Sequence, residues 1–283
     1  MKTILLFLLT LLLFYSCTES NHSQETSIPK RFFPTTETYI TEGASLQYTL
    51  VNSKKNKLIL FIHGSPGSSN AFSEYLKDMQ LQQEAILISI DRFGYGGSMR
   101  GLAELSVGNQ ARYIKPILDK YNLPTLLVGH SYGGPVALRM AMDYPEQVTS
   151  ILLLAPSIDP ELEKVEWYQR LGNFKIIRFF LPSFIDVSNQ EILPLRFELE
   201  KMEHLWKNLK TPMTIIQGDN DSLVPPRNAD YAEKMYPYKS KLKIIRGDMN
   251  HFLTWNQREL IQSEILSILK TFSTTRHFLP QSH

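Results

Sequence analysis

The chain has 283 residues, 43% of them apolar and 20% charged, which is enough apolar material for a sizeable core. Its formal net charge is only +2, and with no clustered basic face this speaks against a nucleic-acid partner. Cys17 is the single cysteine, so an intrachain disulfide is excluded and stability has to come from packing.

Met1-Lys2 is a short basic start, and Thr3 to Phe14 is almost wholly apolar and rich in leucine. Ser16 then places a small residue before Cys17. This is the anatomy of a secretory signal, too short to span a bilayer stably. The run Leu13-Phe14-Tyr15-Ser16-Cys17 resembles a bacterial lipoprotein signal, in which the cysteine becomes the lipid-modified first residue. The resemblance implies a signal peptide over 1–16, a lipid anchor on Cys17, and attachment to a membrane of the cell envelope. A plain secretory signal, giving a secreted or periplasmic protein, is the alternative. Residues 17–30 are polar and read as a flexible tether.

Beyond the tether, strand-like and helical patterns alternate. Glu37–Thr41 and Leu46–Asn52 predict an antiparallel pair turning at Glu42-Gly43. Lys57–Ile62, Ala85–Ile90, Thr125–Val128, Val148–Leu154, Met213–Gln217 and Leu242–Ile245 are apolar runs, as expected of strands buried on both faces. Helical spacing covers Asn70–Asp78, Glu104–Tyr121, Gly134–Asp143, Pro226–Met235 and Asn256–Phe272. The alternation predicts an α/β fold with a mainly parallel, doubly wound sheet. From Ile158 to Leu209 no strand pattern occurs, and Trp167, Tyr168, Phe174, Phe179, Phe180, Phe184, Phe197 and Trp206 mix with charges at helical spacing. A structureless loop of that length is improbable inside a compact domain. The expectation is a small helical cap over 158–209, inserted after the sixth strand, within a core of 31–157 and 210–273. A tail over 274–283 completes the chain.

Gly129-His130-Ser131-Tyr132-Gly133 joins a buried strand to a helix. A sharp strand-to-helix turn strains the central residue, and the chain passing close by requires glycine two positions to either side. The new helix points its N-terminus at Ser131, where negative charge is favoured. His63-Gly64-Ser65-Pro66, placed after the third strand, resembles the oxyanion loop of the α/β hydrolases. Asp91-Arg92-Phe93-Gly94-Tyr95-Gly96-Gly97-Ser98 is similar to their turn after the fourth strand, Gly218 to Pro225 to their acid loop, and Gly247 to Phe252 to their histidine loop. The resemblance covers about Phe33 to Phe272 and implies Ser131 as nucleophile, Asp221 as acid and His251 as base, in the chain order that fold uses. It implies the backbone N–H groups of Ser65 and Tyr132 as the oxyanion hole, and structural roles for His63 and the Asp91 turn. Asp159, just past the sixth strand, is the outside candidate for the acid.

The expected function is a serine hydrolase cleaving a carboxylic ester through an acyl-enzyme. The aromatic cap motivates an apolar acyl group. Hydrolysis of an amide or aminoacyl bond, or of a carbon–carbon bond, keeps the same machinery and stays open. A non-catalytic surface-binding lipoprotein is the reading from another class. Haloalkane dehalogenases and epoxide hydrolases share the loop style but need aspartate where Ser131 stands. No cofactor and no metal site are expected.

Overall fold

A computed structural model describes residues 31–165 and 167–272. The expected signal peptide, Cys17, the tether over 17–30 and the tail over 274–283 lie outside the described residues. Among the described residues eight strands form one sheet: β1 (Thr35–Thr41), β2 (Ala44–Val51), β3 (Leu58–Ile62), β4 (Ile86–Ile90), β5 (Thr125–His130), β6 (Val148–Leu154), β7 (Met213–Gly218) and β8 (Leu242–Gly247). Their spatial order is β1-β2-β4-β3-β5-β6-β7-β8. β1 and β2 pair antiparallel, β2 meets β4 antiparallel, and every further pairing is parallel. The chain thus leaves β3 toward β4 on one side and returns to lay β5 on the other. Crevices at such reversals, outside the carboxyl ends of the strands, are where open α/β sheets bind ligands.

The apolar runs have a simple cause. In β3, Leu58, Leu60 and Ile62 enter one core while Ile59 and Phe61 enter another; in β6, Ile151 and Leu153 face the first and Leu152 and Leu154 the second. Side chains of a strand alternate between faces, so a sheet covered on both sides needs apolar residues at every position. The first core is covered by α3 (Val107–Tyr121) and α4 (Gly133–Asp143); the second by α1 (Ser73–Leu76), α2 (Met79–Glu84) and the C-terminal helix described below.

Between β6 and β7 the chain forms α5 (Trp167–Gly172), α6 (Lys175–Phe180), α7 (Ser183–Ile192), α8 (Leu195–Met202) and a 3-10 segment over Glu203–Asn208. After β7 come α9 (Arg227–Met235), α10 (Leu253–Asn256) and α11 (Arg258–Lys270). None of the described helices is long and apolar enough to cross a membrane.

Several boundaries differ from the sequence expectation: the helix expected from Glu104 starts at Val107, the first two strands start two residues earlier, at Thr35 and Ala44, and three further differences have a visible cause. The helix expected over Asn70–Asp78 is a 3-10 turn, α1 and α2, because the Asp78 carboxylate accepts the Gln80 and Leu81 N–H groups and starts a new helix. β5 runs past Val128 to His130, since Gly129 and His130 still pair with Leu153 and Leu154 of β6. The last helix begins earlier, at Leu253, and breaks at Gln257, whose backbone (φ −121°, ψ 38°) is not helical.

Candidate active site

Ser131 stands between β5 and α4 at φ +53°, a left-handed conformation that a serine adopts only under constraint. The constraint is visible on both sides of the peptide: Ser131 N–H donates to Leu154 O at 2.9 Å, and Ser131 O accepts from Gly134 N–H at 2.9 Å. A Cβ on Gly133 would lie 2.2 Å from Ile62 O, so the helix start can cross the end of β3 only with glycine there. Ser131 is 8% exposed, open enough to be approached.

His251 follows β8 and Asp221 follows β7. His251 Nε2 lies 3.1 Å from Ser131 Oγ, and His251 Nδ1 lies 2.8 Å from Asp221 Oδ2. The Asp221 carboxylate is itself held: Oδ1 accepts the Leu223 and Val224 N–H groups at 3.0 and 2.8 Å, and Oδ2 accepts Gln217 Nε2 at 3.4 Å. A carboxylate fixed in this way orients the ring, with the proton on Nδ1 and the lone pair of Nε2 facing the serine. Its competitors are elsewhere. Asp159 accepts its own chain's Glu161 N–H, Asp248 binds Asn220 at an exposed site, and Asp219 is exposed. Ser131, Asp221 and His251, the three residues the resemblance implied, are brought together from three strand ends.

Two further histidines flank them. His130 Nε2 donates to the His251 carbonyl at 3.1 Å, and its ring lies 5.0 Å from that of His251. Burial and the neighbouring His251 push the His130 pKa down to about 4, so this side chain stays neutral and tethers the backbone of the His251 loop. His63 is fully buried, and burial, helped by Arg92, holds its pKa well below the usual histidine range. Its Nδ1–H donates to Gly64 O at 2.7 Å and its Nε2 accepts the Arg92 N–H at 3.0 Å. Asp91 accepts the Ser69 and Gly97 N–H groups at 2.7 and 2.9 Å, tying its turn together. Both residues have the structural surroundings the sequence reading expected.

A cavity of about 400 Å³ opens onto Ser131 and His251 and is bordered by Ser65 and Tyr132, the two expected oxyanion donors. Its apolar wall is Leu162, Ile192, Leu195, Leu223 and Val224, and its polar wall includes Ser157, Glu163 and Lys164. The aromatic residues between β6 and β7, which motivated the expectation of an apolar acyl group, do not supply its apolar wall. Among the described lining residues there is no Trp or Phe; Trp167, Phe174, Phe179 and Phe180 are 60–83% exposed, and Trp206 is packed in the core. Helical spacing shows which residues share a face and not which face meets the site. Glu163 was missed from sequence. Burial, only partly relieved by its hydrogen bond to Ser157, raises its pKa to about 7. Among the described residues no group of three or more His, Cys, Asp or Glu side chains is placed to hold a metal ion.

Comparison with known proteins agrees with this architecture. A family described as alpha/beta hydrolase fold matches residues 57–175, the stretch from β3 into α6. A 2-hydroxy-6-oxononadienedioate/2-hydroxy-6-oxononatrienedioate hydrolase from Pseudomonas sp is 24% identical over 225 residues, 66% of this chain and 80% of that protein. The proline iminopeptidase of Saccharolobus solfataricus is 24% identical over 266 residues, covering 83% of this chain and 84% of that one. Several other curated relatives are matched over less than half of their length. Among solved structures, a putative lipase from Acinetobacter baumannii superposes with a TM-score of 0.60 at 20% identity, over 84% of this chain and 91% of that one. The fold is that of the α/β hydrolases, and the chain is an enzyme of that fold.

Proposed function

We propose that this α/β-hydrolase enzyme is a serine hydrolase that cleaves carboxylic esters through an acyl-enzyme on Ser131. The observation that carries the reading is the continuous hydrogen-bond chain from Ser131 Oγ through His251 to Asp221, with spacings of 3.1 and 2.8 Å. His251 Nε2 takes the serine proton as Oγ attacks the ester carbonyl. The carbonyl oxygen gains charge and is received by the Ser65 and Tyr132 N–H groups. His251 then protonates the leaving alkoxide. Water, deprotonated by the same nitrogen, cleaves the acyl-enzyme and restores Ser131. Asp221 keeps the proton on Nδ1 and stabilises the imidazolium as it forms.

The aliphatic wall of Leu162, Ile192, Leu195, Leu223 and Val224 suits an apolar acyl or alkyl group of moderate size. One observation favours a second reading, hydrolysis of an aminoacyl amide: the Glu163 carboxyl borders the same cavity and could pair with a substrate amine. The test uses a fluorophosphonate probe and a panel of esters of graded acyl length beside aminoacyl amides. Labelling of the wild type that vanishes in Ser131→Ala, with turnover highest on esters, is expected. Labelling that survives in Ser131→Ala would remove the assignment, and turnover of the amides alone would move it to the second reading.

The same proposal places the protein at the cell envelope, held by lipid on Cys17. It rests on the apolar run Thr3 to Phe14 ahead of that cysteine. Several acyl chains hold a protein far more firmly than one. Cys17→Ser is expected to release the protein from the membrane fraction or to leave its precursor unprocessed; unchanged fractionation and processing would leave the plain secretory alternative.

A further inference from the structure

A buried cation lies behind the oxyanion loop and is absent from the mechanism above. Arg92, in the turn after β4, and Glu191, on α7, form an ion pair at 2.8 Å with both side chains fully buried. All five guanidinium N–H groups are used. Nε donates to His63 O at 2.9 Å; Nη1 donates to Gln110 Oε1 at 2.6 Å and Glu191 Oε2 at 2.9 Å; Nη2 donates to Gly64 O at 3.0 Å and Glu191 Oε1 at 2.8 Å. The Glu191 carboxylate also accepts Tyr95 Oη at 2.6 Å and Gln110 Nε2 at 3.0 Å.

The carbonyl of Gly64 and the N–H of Ser65 belong to one planar, trans peptide, in which C=O and N–H point in opposite directions. Fixing the carbonyl therefore aims the N–H. Gly64 O is fixed twice, by Arg92 Nη2 and by His63 Nδ1–H at 2.7 Å. The peptide lies directly against the nucleophile, since a Cβ on Gly64 would fall 2.9 Å from Ser131 Cβ. The same guanidinium carbon sits 4.6 Å from the ring centre of Tyr132, the residue that carries the other expected donor. Ser65 Oγ lies 2.8 Å from Ser188 Oγ, also on α7, so that helix reaches the loop directly at Ser65 and, through Glu191 and Arg92, at Gly64.

We propose that Arg92, held in place by Glu191, is the positioning residue of the oxyanion hole: it sets the Gly64–Ser65 peptide plane and couples that plane to α7. This rests on the serine-hydrolase reading of the site. A donor aimed at the oxyanion acts in the transition state and scarcely in the ground state. Its loss is read in kcat and in affinity for tetrahedral analogues, with KM spared.

The experiment uses the full chain and three variants: Arg92→Lys, which keeps the charge and loses the fork, Glu191→Gln, and the double variant Arg92→Met/Glu191→Met. The double variant buries no charge and is the form expected to fold even if the single ones do not. Three readouts are taken on protein with native circular dichroism: kcat and KM on 4-nitrophenyl butyrate, the rate of Ser131 labelling by a fluorophosphonate, and inhibition by an alkyl trifluoromethyl ketone. In the last, Ser131 Oγ adds to the ketone carbon, its proton passes to His251, and the ketone oxygen becomes the oxyanion. The expected result is a fall in kcat of about 10- to 100-fold, KM within about threefold, and a loss of ketone affinity that matches the loss in kcat/KM. Folded variants with kcat and ketone affinity near wild type, or a loss confined to KM, overturn the proposal. A wild type that labels with fluorophosphonate but ignores the ester moves the substrate reading alone, and the labelling and ketone measurements still decide the role of Arg92.

Discussion

Asp221 receives the His251 ring, two backbone N–H groups and a glutamine amide in one buried carboxylate. Asparagine in its place keeps the size but cannot hold the ring with the proton on Nδ1 and carry the charge that stabilises imidazolium. In serine proteases that exchange costs about 10⁴-fold in turnover. Asp221→Asn is expected to lose about a hundredfold or more in kcat on an activated ester. Asp159→Asn, Asp219→Asn and Asp248→Asn should stay within about threefold of wild type, since none of the three touches His251. The measurement is turnover of the four single variants on one substrate. A crippled Asp159→Asn beside an active Asp221→Asn would transfer the acid to the end of β6.

At the scale of elements, burial decides what an apolar side chain is worth. Ile265 of α11 is fully buried in the core on the second face of the sheet. Phe179 of α6 is 83% exposed, and no residue of α6 is buried. The two side chains are comparable in hydrophobicity and opposite in consequence. Ile265→Ala removes buried methyl groups and leaves a cavity, so a loss of about 2–5 kcal/mol is expected. Phe179→Ser removes surface that water already covers, and its thermal midpoint should stay within about 2 °C of wild type. Paired melting curves check both. A large loss for Phe179→Ser would mean that α6 is covered in solution by something the chain itself or a second copy supplies.

At the scale of the molecule, buried titratable groups set how stability depends on pH. The folded pKa of His130 is pushed down to about 4, below the ordinary value near 6.5 that the unfolded chain restores. Its contribution is therefore whole above about pH 6.5 and is lost as pH falls toward 4, by on the order of 2–3 kcal/mol; buried His63 acts in the same direction. Glu163 has the opposite sign. Its folded pKa is raised to about 7, so the stability present below the unfolded value is lost as pH rises through 7. Partial exposure keeps that loss to on the order of 1–2 kcal/mol. His130→Gln, which retains a donor for the His251 carbonyl, should flatten the acid limb of a melting-temperature profile. Glu163→Gln should raise the midpoint at pH 8. An acid limb as steep in His130→Gln as in wild type would remove the first attribution, and an unchanged midpoint in Glu163→Gln the second.

The parts of this protein legible in its sequence are those set by local chemistry. Apolar runs such as Leu58 to Ile62 announced strands covered on both faces, because alternation places every second side chain in a different core. Gly129 to Gly133 announced a strained turn, because only glycine lets the chain cross there. The resemblance of the three loops to those of the α/β hydrolases implied Ser131, Asp221 and His251, because each loop carries its own local pattern. What sequence could not decide was which surfaces meet. The aromatic residues after β6 have helical spacing, yet Trp167, Phe174, Phe179 and Phe180 face outward while Leu162, Ile192 and Leu195 face the cavity. Arg92 reads as one charge in a glycine turn. Its partner Glu191 is 99 positions away in the chain, in a segment with no motif of its own. The two are joined because α7 packs over the turn after β4, where Val187 stands against Gly94, and an ion pair buried on both sides exists only once that packing has excluded water from it.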